Sequence, residues 1–164
     1  MIVFGSRGFL GKNIKEYFSC ESYDADLRDV IDLSVSNDII VLCAINKAES
    51  REAYNTNIQI INNVISYCKD NNCSLIFFES LCYNKSRKYY IKAKKKQLKI
   101  LKKSGIKNYV IQVGCIIEDP RNIIQKILNG QADEIYANTK ITFSKLETIL
   151  NRINILLNRT KQLA

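Results

Sequence analysis

The sequence predicts an α/β fold: a doubly wound parallel sheet with helices on both faces, three layers in all. Three observations predict it. Strand-like and helix-like segments alternate along most of the chain, the pattern that right-handed β-α-β crossovers produce. The stretch from Asp38 to Ile45 is an unbroken apolar run of strand length, which suits a parallel strand covered on both faces. A turn marked by Gly5, Gly8 and Gly11 joins the first such run to the first helix.

The elements follow in order. Met1 to Phe4 reads as a short buried strand, and Lys12 to Phe18 as a helix after the glycine turn. Ser22 to Leu27 reads as a strand with Asp24 and Asp26 at its end, and Asp29 to Ser36 as a weak helix or turn. Asp38 to Ile45 is the next strand. Ala48 to Asp70 is a long helix, because Ile58, Ile61, Val64, Ile65 and Cys68 recur at helical spacing. Asn71-Asn72 breaks it, and Ser74 to Phe78 is a further buried strand. Tyr89 to Lys103 is a helix with Leu98, Ile100 and Leu101 inward, closed by Ser104-Gly105 in the manner of a C-cap. Asn108 to Val113 is a strand. Ile123 to Leu128 is helix-like, Glu134 to Tyr136 is a short piece, and Phe143 to Leu157 is an amphipathic helix before a frayed Asn158 to Ala164. The expected organisation is one domain over 1–164, with a helical remnant over about 119–164.

Composition removes several function classes. The chain of 164 residues is 46% hydrophobic and holds one proline, which argues for a packed domain and against disorder. With no histidine, His-based catalysis is excluded, a zinc site is disfavoured and no metal is expected. The six cysteines form no C-x-x-C pair and several sit in apolar runs, so they read as free thiols in a reducing cytoplasm. No signal peptide and no membrane partner are expected, since a strand-like run follows Met1 directly and no apolar stretch is of spanning length. The net charge is +9, and eleven basic residues lie between Lys85 and Lys107. That density admits nucleic acid, a solvated helix face, or attraction of a phosphorylated ligand. Few aromatics interleave beyond Tyr89 and Tyr90, so nucleic acid ranks last.

A strand, glycine turn and helix is the setting in which a backbone cradles a dinucleotide pyrophosphate. Gly5 allows the sharp turn, Gly8 the approach of the pyrophosphate, and Gly11 close packing of the helix on its strand. The free amides at the helix start supply an anion site. The spacing is G-x-x-G-x-x-G. Tyr90 and Lys94 lie four apart, on one face of their helix. A lysine beside a tyrosine stabilises the phenolate, which suits the phenol to proton transfer near neutral pH.

Taken together and in order, these features resemble the short-chain dehydrogenase/reductase superfamily. The likeness is to its extended branch, the NAD-dependent epimerase/dehydratases and dTDP-4-dehydrorhamnose reductases. Met1 to Gly11 resembles the nucleotide fingerprint. Asp26-Leu-Arg-Asp29 resembles the acidic stretch whose first Asp meets the adenine, and Val41 to Ala44 the strand beneath the cofactor. Lys47-Ala-Glu-Ser50 with Asn57 resembles the reductases' entry into the next helix. Phe77-Phe-Glu-Ser80 resembles the strand that ends in a catalytic hydroxyl, and Gly105 to Gly114 the helix exit and strand beside the nicotinamide.

The resemblance implies a Rossmann-like sheet and NAD or NADP as cofactor. It implies Tyr90 as general acid/base, Lys94 as its partner and as a ribose ligand, and Ser80 as hydrogen-bond donor to the substrate oxygen. Gly5, Gly8, Gly11 and the backbone at Phe9 and Leu10 are expected to hold the pyrophosphate. Asp26 with Leu27 would border the adenine, Asp24 the ribose, and Ala44 the face of the cofactor. Arg7 favours NADP and Asp24 favours NAD, so the choice stays open. Only nine residues separate Ser80 from Tyr90, and the family's substrate domain is largely absent, with Asp119 to Ala164 in its place. The implied function is an NAD(P)-dependent oxidoreductase or epimerase acting on a sugar nucleotide, by keto-sugar reduction, in surface-polysaccharide synthesis. The alternative is a non-catalytic dinucleotide-binding or partner-binding protein that kept the sheet. A homodimer through the helices over 48–70 and 89–103 is an open expectation.

Overall fold

In a computed structural model, residues 1–35, 38–81, 88–130 and 141–161 are described. Five parallel strands form the main sheet: β1 (Ile2–Phe4), β2 (Glu21–Tyr23), β3 (Ile39–Leu42), β4 (Ser74–Ser80) and β5 (Asn108–Val113). Their order across the sheet is β2-β1-β3-β4-β5. The chain steps outward from β1 to β2, then returns across β1 to build the other half. The order therefore reverses between β1 and β3, and in such sheets ligands sit at the carboxyl ends of the strands flanking that reversal. The fold is Rossmann-like. The register is set by apolar pairs, with Ile2 opposite Ile40 and Val3 opposite Val41, and Val41 opposite Ile76.

The crossovers are α1 (Phe9–Phe18), α2 (Arg51–Asp70) and α3 (Lys88–Lys103), followed later by α4 (Ile123–Leu128) and α5 (Leu146–Lys161). Two compact units are distinguished: Met1–Glu79 with Tyr83–Val110, and Ser80–Cys82 with Ile111–Ala164. In the first, Phe4, Ile61, Leu75, Phe77 and Leu101 are fully buried in one apolar cluster. Helices α2 and α3 pack against one another in this unit. In the second, Ile149, Leu150 and Ile153 form the buried face of α5. A two-residue strand, β6 (Cys115–Ile116), pairs in parallel with β7 (Phe143–Ser144).

Some elements differ from the sequence expectation. Helix α1 begins at Phe9 and not at Lys12, directly after the last residue of the turn. The stretch after Asp29 is not helical through Val35. Side chains of α2 hold it extended: Asn63 Nδ2 donates to the carbonyls of Leu27, Arg28 and Asp29, and Tyr67 Oη to that of Leu33. Val30 points outward at 90% exposure, so this apolar residue drives no packing. Phe143 belongs to β7, and α5 starts three residues later and runs through Lys161. Glu134 to Tyr136 lies outside the described residues.

Candidate functional site

The carboxyl ends of β1 and β3 meet at the glycine turn. Gly5 has φ +88°, a left-handed conformation that a side chain disfavours. A Cβ there would lie 2.6 Å from the Ala44 nitrogen. Ala44 follows β3 and donates its N–H to the Phe4 carbonyl at 3.0 Å, beside a 2.8 Å bond from Cys43 to the same oxygen. Gly11 is buried in α1, and a Cβ on it would stand 2.3 Å from the Gly5 carbonyl oxygen. Gly5, Gly11 and Ala44 thus bring three backbones into contact.

Gly8 differs from both. Its φ of −79° is ordinary and it forms the N-cap of α1. The nearest atom to a Cβ there is the Gly5 oxygen at 3.9 Å, ordinary contact distance, so the third glycine answers to no crowding within the protein. With no side chain, Gly8 does not cap the helix, and the first turn carries no acid. The first helical bond runs from Lys12 N to Gly8 O at 2.9 Å, so the amides of Phe9, Leu10 and Gly11 precede it. Those amides and the space over Gly8 fit an anionic group such as a pyrophosphate.

An acid directly after β2 shapes the outer wall of the turn. Asp24 accepts from Ser6 N at 2.8 Å and from Ser6 Oγ at 2.5 Å. Arg7 donates to the Asp24 backbone carbonyl. Burial pushes the Asp24 carboxyl up, but the bonds from Ser6 and Ser22 and the charge of Arg7 outweigh it and leave the group below the usual carboxylate range. Asp26 is pulled down to about 2 by its hydrogen bonds from Arg28, which reach both carboxylate oxygens. Leu27 turns its side chain into the core, at 4% exposure, and its carbonyl accepts from Asn63.

Tyr90 and Lys94 occupy the first two turns of α3, both half-buried. The Lys94 ammonium donates to the Phe78 carbonyl at 3.0 Å and lies 4.7 Å from the centre of the Phe77 ring. Burial draws Lys94 down to about 8, with Cys43 opposing and Lys47 adding to the shift. Burial pushes the Cys43 thiol up to about 12. Ser80 closes β4 and falls in the second unit.

Residues not singled out as site residues by the sequence reading hold this corner. Glu49 accepts from Tyr89 N at 2.9 Å and Tyr90 N at 3.4 Å, capping the start of α3. Asn57, at 1% exposure, clamps Asn46 after β3: its Oδ1 accepts from Asn46 N and its Nδ2 donates to Asn46 O, each at 2.8 Å. Gln97 of α3 donates to the Asn57 carbonyl at 2.7 Å. Buried amides at helical core positions were the available signal, since such groups need partners. Ser6 offered no signal beyond its place in the turn.

No protein-family model matches the chain, and no curated protein does so significantly. Solved structures match in fold. The capsular polysaccharide assembling protein CapF from Staphylococcus aureus superposes with a TM-score of 0.64 at 17% identity, covering 96% of this chain and 49% of CapF. A GDP-L-fucose synthetase from Naegleria fowleri superposes with a TM-score of 0.55 at 14% identity, covering 93% of this chain and 70% of that one. The chain thus spans about half the length of CapF. At these identities the likeness is one of fold.

Proposed function

We propose that this chain binds NAD or NADP at the Gly5–Gly11 turn and acts as a reductase or epimerase on a sugar nucleotide. It would be a member of the short-chain dehydrogenase/reductase superfamily. The observation that carries the reading is the division of labour among the glycines. Gly5 and Gly11 are glycine because the protein has no room for a methyl, whereas Gly8 has room and leaves it open before uncapped amides. The names of the two structural neighbours support the substrate class, one a GDP-sugar synthetase and the other a capsule-assembling protein. Surface-polysaccharide synthesis is the corresponding process.

The nicotinamide, when bound, supplies or accepts the hydride. Tyr90 gives or takes the proton at the substrate oxygen. Lys94, four residues on, favours the ionised phenol and holds a ribose hydroxyl. Its ammonium uses one of three donors on Phe78, which leaves two for these roles. Ser6 and Arg7 with Asp24 border the ribose, and the charges of Arg7 and Asp24 set the preference between NADP and NAD.

Fluorescence titration with NADH and NADPH tests the reading. Binding of either, weakened by Gly8→Val, is expected, and failure to bind both refutes it. Tyr90→Phe is then expected to retain affinity and lose turnover of keto-sugar nucleotides. Binding without turnover in the parent protein instead selects the non-catalytic dinucleotide-binding alternative.

A further inference from the structure

Helix α3 carries eight lysines and no acidic residue. The rest of the chain, with 17 basic and 16 acidic residues, is nearly neutral, so α3 accounts for eight of the nine net positive charges. This concentration is a property of one helix and not of the composition. Lys94 alone among the eight turns inward, and the other seven are exposed. At 3.6 residues per turn those seven fall within an arc of about 120°. Ala93, Gln97 and Leu101, all buried, lie on the opposite side. Lys88, Lys92, Lys96, Lys99, Lys102 and Lys103 have no carboxylate partner among the described residues. The result is a straight cationic ridge about 24 Å long, at 1.5 Å per residue.

We infer that this ridge docks the protein on a membrane surface rich in anionic phospholipid. A ridge of charges on a convex helix lies tangent to a plane and brings every lysine to it. Clusters of four to eight basic residues on an amphipathic helix bind such headgroups. The chemistry separates this partner from nucleic acid. The ridge contains no arginine for bidentate phosphate or base contacts, and the two aromatics of α3, Tyr89 and Tyr90, are half-buried beside it and not among its lysines, which leaves little for base stacking. A second copy of the chain is disfavoured on this face, because seven like charges would meet seven. Among the described residues no helix is long and apolar enough to cross a membrane, and the apolar side of α3 is used in the core. Attachment through this ridge is electrostatic and reversible.

Co-sedimentation with vesicles of phosphatidylcholine containing about 30% phosphatidylserine, in about 50 mM salt, tests the inference. Binding is expected that falls away in about 500 mM salt and is absent with pure phosphatidylcholine. The triple variant Lys92→Gln, Lys96→Gln, Lys99→Gln keeps good helix formers at exposed positions. Each lysine contributes about fivefold to partition, so the triple should bind about a hundredfold more weakly. The control triple Lys69→Gln, Lys126→Gln, Lys145→Gln, also exposed, should bind nearly as the parent. No preference for anionic vesicles, or equal loss in the control, overturns the inference. So does tighter retention of duplex DNA than of vesicles in the same buffer, which would make nucleic acid the partner.

Discussion

Replacing each glycine of the turn by alanine should give three different outcomes, fixed by what surrounds each one. At Gly11 the new methyl would stand 2.3 Å from the Gly5 carbonyl oxygen, where ordinary contact begins near 3.4 Å. About 1.1 Å of separation is missing, and the obstacle is backbone, which cannot rotate aside. Such overpacking costs about 3 kcal/mol, against a helix-propensity gain of about 1 kcal/mol. The net loss of about 2 kcal/mol is a fall of about 4–8 °C in Tm for a chain this size. At Gly5 two costs add: about 1–2 kcal/mol for the left-handed backbone and about 1–3 kcal/mol for the approach to Ala44. Gly5→Ala is therefore the worst of the three, with a fall of about 4–20 °C. At Gly8 the methyl meets nothing closer than 3.9 Å. A weaker N-cap and a less flexible unfolded chain nearly cancel, so stability changes by less than about 1 kcal/mol. Thermal unfolding followed by circular dichroism reads all three. A Gly8→Ala protein as destabilised as Gly11→Ala, or a Gly11→Ala protein as stable as the parent, refutes the reasoning.

Four further outcomes are expected. Folded Lys94 releases its proton near 8, while the unfolded chain holds it to the ordinary 10.5. Between these values the unfolded state binds more protons, so this lysine's contribution to stability rises with pH. The buried thiols of Cys43 and Cys68, pushed up to about 12, act oppositely above about pH 9, so the rise should be read as the difference in Tm between the parent and Lys94→Met from pH 7 to 9. Glu49→Ala strips the cap from the first turn of α3 and should cost about 1 kcal/mol in urea unfolding, whereas an unchanged midpoint would deny the cap a role. Asn57→Ala frees both polar groups of the Asn46 backbone and should cost about 2 kcal/mol. Gln97→Met removes the one buried side-chain oxygen without a partner among the described residues and should change stability by less than about 1 kcal/mol; a large loss there would show the amide to be essential to the clamp.

Strands β1, β3 and β4 were legible because each carries an apolar run buried on both faces, which leaves no alternation to misread, whereas β2 and β5 mix in polar and exposed residues. The long helices were legible from their 3.6-residue period. The residues after Asp29 were not, since their extended path is imposed by Asn63 and Tyr67, more than thirty positions away. The β6–β7 pair was equally hidden: two residues on each side leave no periodicity to detect. At the turn, glycine spacing exposed the need for close approach but not which neighbour imposes it. That Gly5 answers to Ala44 and Gly11 to Gly5 is a property of the assembled corner. The bond of Ser6 to Asp24 depends on β2 lying beside β1. The Asn57 clamp depends on α2 passing beneath the end of β3.

The meeting of Gly5, Gly11 and Ala44 also sets how this protein can diverge. A methyl added at either glycine runs into backbone, and backbone cannot be exchanged by a single codon change. Natural variants of this chain should therefore hold positions 5 and 11 fixed, and admit nothing bulkier than alanine at 44 unless the strand ends themselves shift. Position 8 is under no such constraint from the fold, so whether it drifts among homologues reports directly on the ligand. A lineage that has lost its dinucleotide should betray itself first by a side chain at position 8, long before the sheet beneath has changed.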